Sequence, residues 1–570
     1  MKLFAVVGFK EFYSSRLPQE HDFSLLEKYP SDLLLLSLSK INSLLFNEGQ
    51  DTRVNQLAIL TACFPNIGEQ KRKQIASFIV QSREKNIAFF TAPVLSRLIA
   101  NCLLHFVPRT DNDAPINIGE FQESVFDTIL IYNNQYYDSH PPDMDLATYE
   151  AIWHLGLSQQ EYMRSHSDLI GIAPLKTFFL YKFLMDVLPS GSDYLREFCE
   201  HFGIPAYYNY IIFFIQIIEA IIQGDQNDQI KHVITPSSEQ HQIISQFSIP
   251  EERLIDKKIK GNVHGELMTH PFYFITKETA AIIDPHYIRY VIDIGLPFQL
   301  YQHSSLNKGV AFPKFEDFKA MLGKKYYEEY IVNGLLQKIF NSKNYSLFTT
   351  EDNSPLPDFA VVRNQKDILL IEVKSASIHF NPLEDIDVEA FKKFVNEEFC
   401  KQKISPKQKN KGVYQLAKQI KELAMTDKLD CLIKDKSKKK RLSLFPVLIY
   451  TDDVMDMSGI NSYINESFLK EIEPEKNFFK KIQPIVAINL SFFLRYYAEL
   501  RQNHKLLLEL ITGYNNKVSE LNKTYRKAEG NPVLFLNKNL SFEVYAAKKM
   551  QGSNFLKSFQ AITNDFHLHT

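Results

Sequence analysis

The spacing of apolar residues changes twice along the chain. Over residues 1–245 it is helical. Residues 32–46 carry Leu33, Leu34, Leu36, Leu38, Ile41, Leu44 and Leu45, and 69–82 and 92–106 continue the same dense pattern. Pro189-Ser190-Gly191-Ser192-Asp193 reads as a turn and cap ahead of a helix over 194–202. Helix pairs without a fixed period point to a bundle or solenoid. Between 250 and 310 the pattern becomes strand-like. Residues 271–276 and 280–284 flank a hairpin loop at Lys277-Glu278-Thr279, and an apolar segment follows over 287–300.

A third pattern begins near 315. Residues 321–340 predict a helix, with Tyr327, Ile331, Leu335 and Ile339 at a spacing of four. Strands are predicted over 345–350, 358–363 and 368–374, the last two separated by a turn. A Lys-rich insertion fills 375–411. Residues 413–425 form an amphipathic helix with Val413, Leu416, Ala417 and Ile420 on one side, and 444–451 a fourth strand. The order is α-β-β-β-α-β. A further strand is a candidate over 482–490, 492–510 is helical, and the tail beyond 530 shows no clear pattern. The expected fold is multidomain, α plus α/β. It comprises a large helical region (1–249), a small α/β connector (250–314), an α/β domain (315–511) and a C-terminal extension (512–570).

Composition adds constraints. A chain of 570 residues is too long for one hydrophobic core. Its net charge of -2 means that any contact with a polyanion must be local. Five scattered cysteines with no CxxC pair argue against a zinc ribbon or a disulfide framework, and are expected to be reduced thiols of a cytoplasmic protein. The most apolar stretch, 207–222, is interrupted by Asn209, Gln216 and Glu219 and falls short of the ~20 residues a membrane span needs. It is expected to be a buried core helix, with no membrane partner. The N-terminus lacks the marks of a signal peptide. No GxxxxGK[ST] loop or G-x-S-x-G elbow is present, and the spacing of His264 and His270 does not match a helical zinc site.

The chemistry concentrates at Leu370-Ile371-Glu372-Val373-Lys374, an apolar strand that ends in charge. Glu372 and Lys374 are two apart and share one face of a sheet. Asp358, after Pro357, opens the neighbouring strand, and the hairpin returns it towards Glu372. An odd number of loop residues would set Asp358 on the same face as Glu372; an even number would need a bulge or strong twist. Mg²⁺ takes oxygen ligands, often one or two carboxylates plus waters. Asp358 and Glu372 would supply these, with the backbone carbonyl of Val373, and Mn²⁺ would substitute. Lys374 would orient the attacking water and stabilise the phosphorane-like transition state.

Pro357-Asp358 followed by Glu372-x-Lys374, in the order α-β-β-β-α-β, resembles the PD-(D/E)xK nuclease superfamily, whose core is the restriction-endonuclease-like fold. The resemblance spans about 130 residues. It implies a metal-associated acid on the first core helix, for which Glu328 is chosen over its neighbour Glu329. It also implies a polar residue on the second core helix, which Gln415 matches. It favours DNA over RNA as substrate. A large helical region beside such a nuclease resembles effectors of bacterial anti-phage defence. That implies a partner protein or trigger acting through residues 1–249, and an oligomer would suit double-strand cleavage.

Residues 401–441 hold 14 Lys or Arg against four acids. Lys434, Lys436, Lys438, Lys439, Lys440 and Arg441 cluster ahead of the fourth strand, which is expected to bring positive charge for phosphate beside the site. Lys401, Lys403, Lys407, Lys409 and Lys411 have similar standing. The expected activity is Mg²⁺-dependent endonucleolytic hydrolysis. The alternative is a nucleic-acid-binding or scaffold subunit on a degenerate nuclease fold.

Overall fold

The structure, a computed structural model, describes residues 5–14, 23–46, 52–81, 87–109, 115–138, 145–158, 168–226, 232–255, 263–349, 356–377, 387–401, 410–433 and 436–568. The chain is multidomain and mixes helices with mixed sheets. It divides into two compact units.

The first unit takes Met1–Met144, Gln159–Tyr181 and Pro189–Lys308. Its helices follow the apolar spacing of the sequence. In Ser31–Leu45 the side chains of Leu34, Leu35, Leu38 and Ile41 are buried, and the helix packs on Ala92–Leu104. Tyr207–Gln226 buries Tyr210, Ile211, Phe214 and Ile218 inside this unit. Among the described residues, no single helix is long and apolar enough to cross a membrane. The expected hairpin is Phe272–Thr276 with Thr279–Ile282, so its loop is Lys277 and Glu278 alone. A short third strand, Val233–Ile234, pairs antiparallel with Thr279–Ile282.

The second unit takes Asp145–Ser158, Lys182–Leu188 and Gly309–Thr570. Its sheet contains β1 (Tyr345–Thr349), β2 (Phe359–Arg363), β3 (Asp367–Lys374), β4 (Ser443–Tyr450), β5 (Lys481–Ile482) and β6 (Val486–Asn489). β1, β2 and β3 form an antiparallel meander. β4 lies parallel to β3, and β5 and β6 follow one another along the outer edge of β4. The helical segment before β1 runs as Phe315–Met321, a π-helical stretch Leu322–Val332, and Asn333–Ile339. Val413–Met425 lies between β3 and β4 in sequence. The order α-β-β-β-α-β is thus present, with one addition. Val388–Phe399 is helical within the Lys-rich insertion, capped by the Asp387 carboxylate and buried through Phe391, Val395 and Phe399. The helical stretch 492–510 is broken into Leu490–Arg495, Tyr497–Gln502 and the start of Leu506–Tyr525. The tail forms three further helices, Pro532–Lys538, Phe542–Lys549 and Phe555–Asp565.

Two segments from the first half of the chain complete this unit. In Tyr149–Ser158, Trp153 is fully buried between the rings of Phe391 (5.4 Å) and Tyr463 (5.1 Å). Glu150 pairs with Lys392 at 2.6 Å, and the Tyr149 hydroxyl bonds Glu466. A deletion of residues 1–245 would therefore strip core from the second unit. Truncating Trp153 leaves a cavity beneath Phe391, so Trp153→Ala should destabilise the unit by about 3–5 kcal/mol. The measurement is the urea midpoint of unfolding; a change below about 1 kcal/mol would exclude this segment from the core.

Candidate active site

The β2–β3 hairpin turns through Asn364, Gln365 and Lys366. Asn364 and Gln365 both take the left-handed conformation (φ 50° and 55°). Three loop residues are the odd case. Arg363 faces Asp367, and the register proceeds without a break to Phe359 opposite Ile371. One further step sets Asp358 opposite Glu372, so the two carboxylates share a face without a bulge. Lys374, two residues on, joins them.

Glu372 is only 2% exposed. Its Oε1 accepts a bond from the Lys374 ammonium at 2.9 Å, while Oε2 is buried with no hydrogen-bond partner among the described residues. The Lys374 ammonium also donates to Gln415 Oε1 at 3.3 Å. Gln415 lies in the first turn of Val413–Met425, so that helix delivers it directly to the site. Val373 takes part through its N–H, which donates to Asp358 Oδ2 at 2.8 Å.

Glu328 comes from the π-helical stretch. Burial, and then the negative charge of Glu372, raise its pKa. Its neighbour Glu329 is 40% exposed at the side chain and pairs with Lys325 at 2.7 Å. The two adjacent acids thus have different surroundings: Glu329 is engaged with Lys325, and Glu328 is half-buried within reach of the charge of Glu372. The helix comes close to the end of β3: a Cβ on Gly323 would stand 2.7 Å from the Ser375 hydroxyl. Lys324, absent from the sequence reading of the site, partly offsets the pKa shift of Glu328. Its position four before Glu328 was the available signal.

Three acids meet one lysine here. Asp358 is pushed up to about 8 by burial first, then by Glu372 and Glu328. The Val373 N–H and Lys374 oppose the shift. An orphaned carboxylate oxygen and mutually repelling acids are the surroundings a hard cation would relieve. Among the described residues no group of three or more His, Cys, Asp or Glu forms a metal cage. Mg²⁺ does not require one, since it binds through one or two carboxylates and retains waters. The donor set of Asp358 and Glu372 fits that cation.

The basic run is placed differently from expectation. Lys436–Arg441 forms a short 3₁₀ turn that leads into β4. β4 runs parallel to β3, with Ser443 beside Asp367 and Tyr450 beside Lys374. The run therefore enters at the end of the sheet opposite Glu372 and Lys374, about 23 Å away along the strands. The expectation that it lies beside the site is corrected: a parallel partner strand starts where β3 starts, not where it ends. Lys439 donates to the Ala424 carbonyl and lies 6.0 Å from the ring centroids of Phe478 and Phe479, whereas Lys440 and Arg441 are exposed. Lys434 and the side chains of Lys436 and Lys438 lie outside the described residues, as do Lys403, Lys407 and Lys409. Lys411 is four residues from Gln415 and pairs with Glu398 at 2.7 Å; its N–H bonds the Lys401 carbonyl.

The raised pKa of Asp358 has a consequence for stability in the absence of divalent cations. A carboxyl whose folded pKa exceeds its unfolded value stabilises fully below the unfolded value, near 4. That contribution is lost as pH rises through about 8. Asp358→Asn keeps an oxygen for the Val373 N–H but carries no charge. In chelator, its stability relative to wild type should grow by a few kcal/mol between pH 4 and 8. Urea titrations of both proteins across that range measure it; a constant difference would show that Asp358 ionises freely.

No family model, curated protein or solved structure matches the chain, so the functional reading rests on the site's own geometry.

Proposed function

We propose that the second unit is a Mg²⁺-dependent endonuclease of the PD-(D/E)xK superfamily, built on a restriction-endonuclease-like core and hydrolysing phosphodiester bonds, with DNA as its substrate. The observation that carries the reading is the cross-strand placement of Asp358 against Glu372, with Lys374 on the same face and Glu372 Oε2 unpartnered. Asp358 and Glu372 would hold the metal, with the Val373 carbonyl beside them and Mn²⁺ as a substitute ion. Bound Mg²⁺ would supply Lewis acidity, easing deprotonation of water and offsetting phosphate charge. Lys374 would orient the attacking water and donate to the phosphoryl oxygen as negative charge develops there. Gln415, by accepting from Lys374, holds the ammonium in place between two oxygens. Glu328 would orient a water or a second cation. The first unit would respond to a trigger or partner protein, as in an anti-phage effector of the cytoplasm.

The proposal is tested by cleavage of supercoiled, linear and single-stranded DNA and of RNA with Mg²⁺. Asp358→Ala should abolish cutting, and Lys374→Ala should slow it about 100-fold or more. Variants that cut a plasmid as well as wild type would falsify the assignment.

Lys440 and Arg441 would act at a distance. The ~23 Å from Lys374 corresponds to about seven base pairs of duplex. Changing both to Glu should weaken DNA binding and flatten its salt dependence by roughly two ions, with the rate at saturating DNA unchanged. An unaltered salt slope would remove them from the interface.

A further inference from the structure

Glu328 reaches the site from a helix whose winding is unusual. Leu322, Tyr326, Ile331 and Val332 are buried, and the step from Tyr326 to the next buried residue, Ile331, is five. In a regular α-helix a five-residue step lands about 140° from its start. The i→i+5 winding of a π-helix closes one turn in that step and returns Ile331 to the buried side. The same winding sets the direction of Glu328, which lies inside that step.

Such winding is rare and is found mostly at functional sites, so the contacts that hold it are informative. The holding contacts come from Lys182–Leu188, which belong to this unit although they lie more than 120 residues earlier. The Phe183 ring is fully buried and meets both Tyr326 and Tyr330, each at 5.4 Å between centroids. The Tyr330 hydroxyl donates to Asp186 Oδ2 at 2.9 Å. Asp186 is held in turn by Lys182 at 3.0 Å. Tyr326 and Tyr330 bracket Glu328, two residues away on either side. A clamp on both fixes the rotation of the residue between them.

We infer that Phe183, Asp186 and Tyr330 are positioning residues, whose clamp on the π-helical turn aims the Glu328 carboxylate at Asp358 and Glu372. The inference rests on the metal reading of the site. It extends that reading to residues that touch neither metal nor nucleic acid. Supporting partners of this kind typically change metal affinity 10–100-fold when removed.

Calorimetric titration of Mn²⁺ into the full chain is the test, because it does not depend on cleavage. Glu328→Gln sets the size of the effect and Asp358→Asn should abolish binding. Tyr330→Phe and Phe183→Leu should each weaken Mn²⁺ binding about tenfold. Neither should weaken it further in a Glu328→Gln background, because the clamp acts only through that carboxylate. Tyr330→Phe removes a single oxygen and keeps the test open if Phe183→Leu fails to fold. Unchanged affinity in Tyr330→Phe and Phe183→Leu, beside lost binding in Asp358→Asn, overturns the positioning role and leaves the metal site standing. Fully additive losses in the Glu328→Gln background also overturn it, since the clamp would then act through general stability. No Mn²⁺ binding by wild type overturns the metal site and this role together.

Discussion

The second unit is organised around a carboxylate that is held out of water. Glu372 lies near the end of a strand whose preceding side chains, Ile368, Leu369, Leu370 and Ile371, are all fully buried. β3 has strands on both sides, so it cannot swing outward to hydrate the acid. Burying an ionised carboxylate is costly unless it is paired and hydrogen-bonded. Lys374 satisfies one oxygen, and among the described residues nothing satisfies the other. The apolar strand supplies the free energy that keeps the charge in place. This is the usual relation between a stable scaffold and a site that is itself destabilising.

The contrast with nearby acids sharpens the point. Lys374, Tyr450 and Asn489 stand at one level across β3, β4 and β6, at the carboxyl ends of parallel strands, where open α/β sheets tend to place ligands. Acids crowd this whole edge, and those beyond β4 are each engaged through at least one oxygen. Asp453 accepts from Asn489 Nδ2 and from the Ser491 hydroxyl, each at 3.0 Å. Asp456 accepts from the Tyr450 hydroxyl, and Glu543 Oε1 accepts from the Asn489 N–H at 2.8 Å, while its Oε2 is buried with no hydrogen-bond partner among the described residues, as in Glu372. The Glu543 bond ties the C-terminal helix Phe542–Lys549 to β6. On the β2–β3 side, donors leave the acids incompletely matched. An unmatched carboxylate oxygen is therefore common to both parts of this edge; what sets the β2–β3 side apart is two carboxylates placed opposite one another with a lysine on the same face.

How legible this was in the sequence depends on the range of each interaction. The helix Val413–Met425 and strands β1 to β4 were readable to within a residue or two, because their apolar periodicity is local, whereas the single strand expected over 482–490 is divided into β5 and β6. The Glu372–Lys374 face follows from parity alone. Val388–Phe399 was hidden because Lys392, Lys393 and several Glu residues dominate its composition. Its buried Phe391, Val395 and Phe399 at spacing four were present all along. The placement of Lys436–Arg441 could not be read, because strand direction is a tertiary property. The same holds for the π-helical turn. Its five-residue step from Tyr326 to Ile331 becomes meaningful only once Phe183 is known to face it.

The membership of Asp145–Ser158 in the second unit carries an entropic burden that decides how that segment must bind. Trp153 meets Phe391 across about 240 residues of chain, and closing a flexible loop of that length costs on the order of 5 kcal/mol. Burial of one tryptophan contributes a similar amount, about 3–5 kcal/mol by truncation. The partly exposed Glu150–Lys392 pair adds well under 1 kcal/mol. Trp153 alone therefore leaves the segment close to balance, and docking needs the further burial of Ala151, Ile152 and Leu157 along the same helix. An element held by a whole helical face attaches cooperatively rather than by one anchor. Because it holds the insertion helix that follows Lys374 in the chain, order in that part of the second unit depends on residues made long before the strands that carry the site.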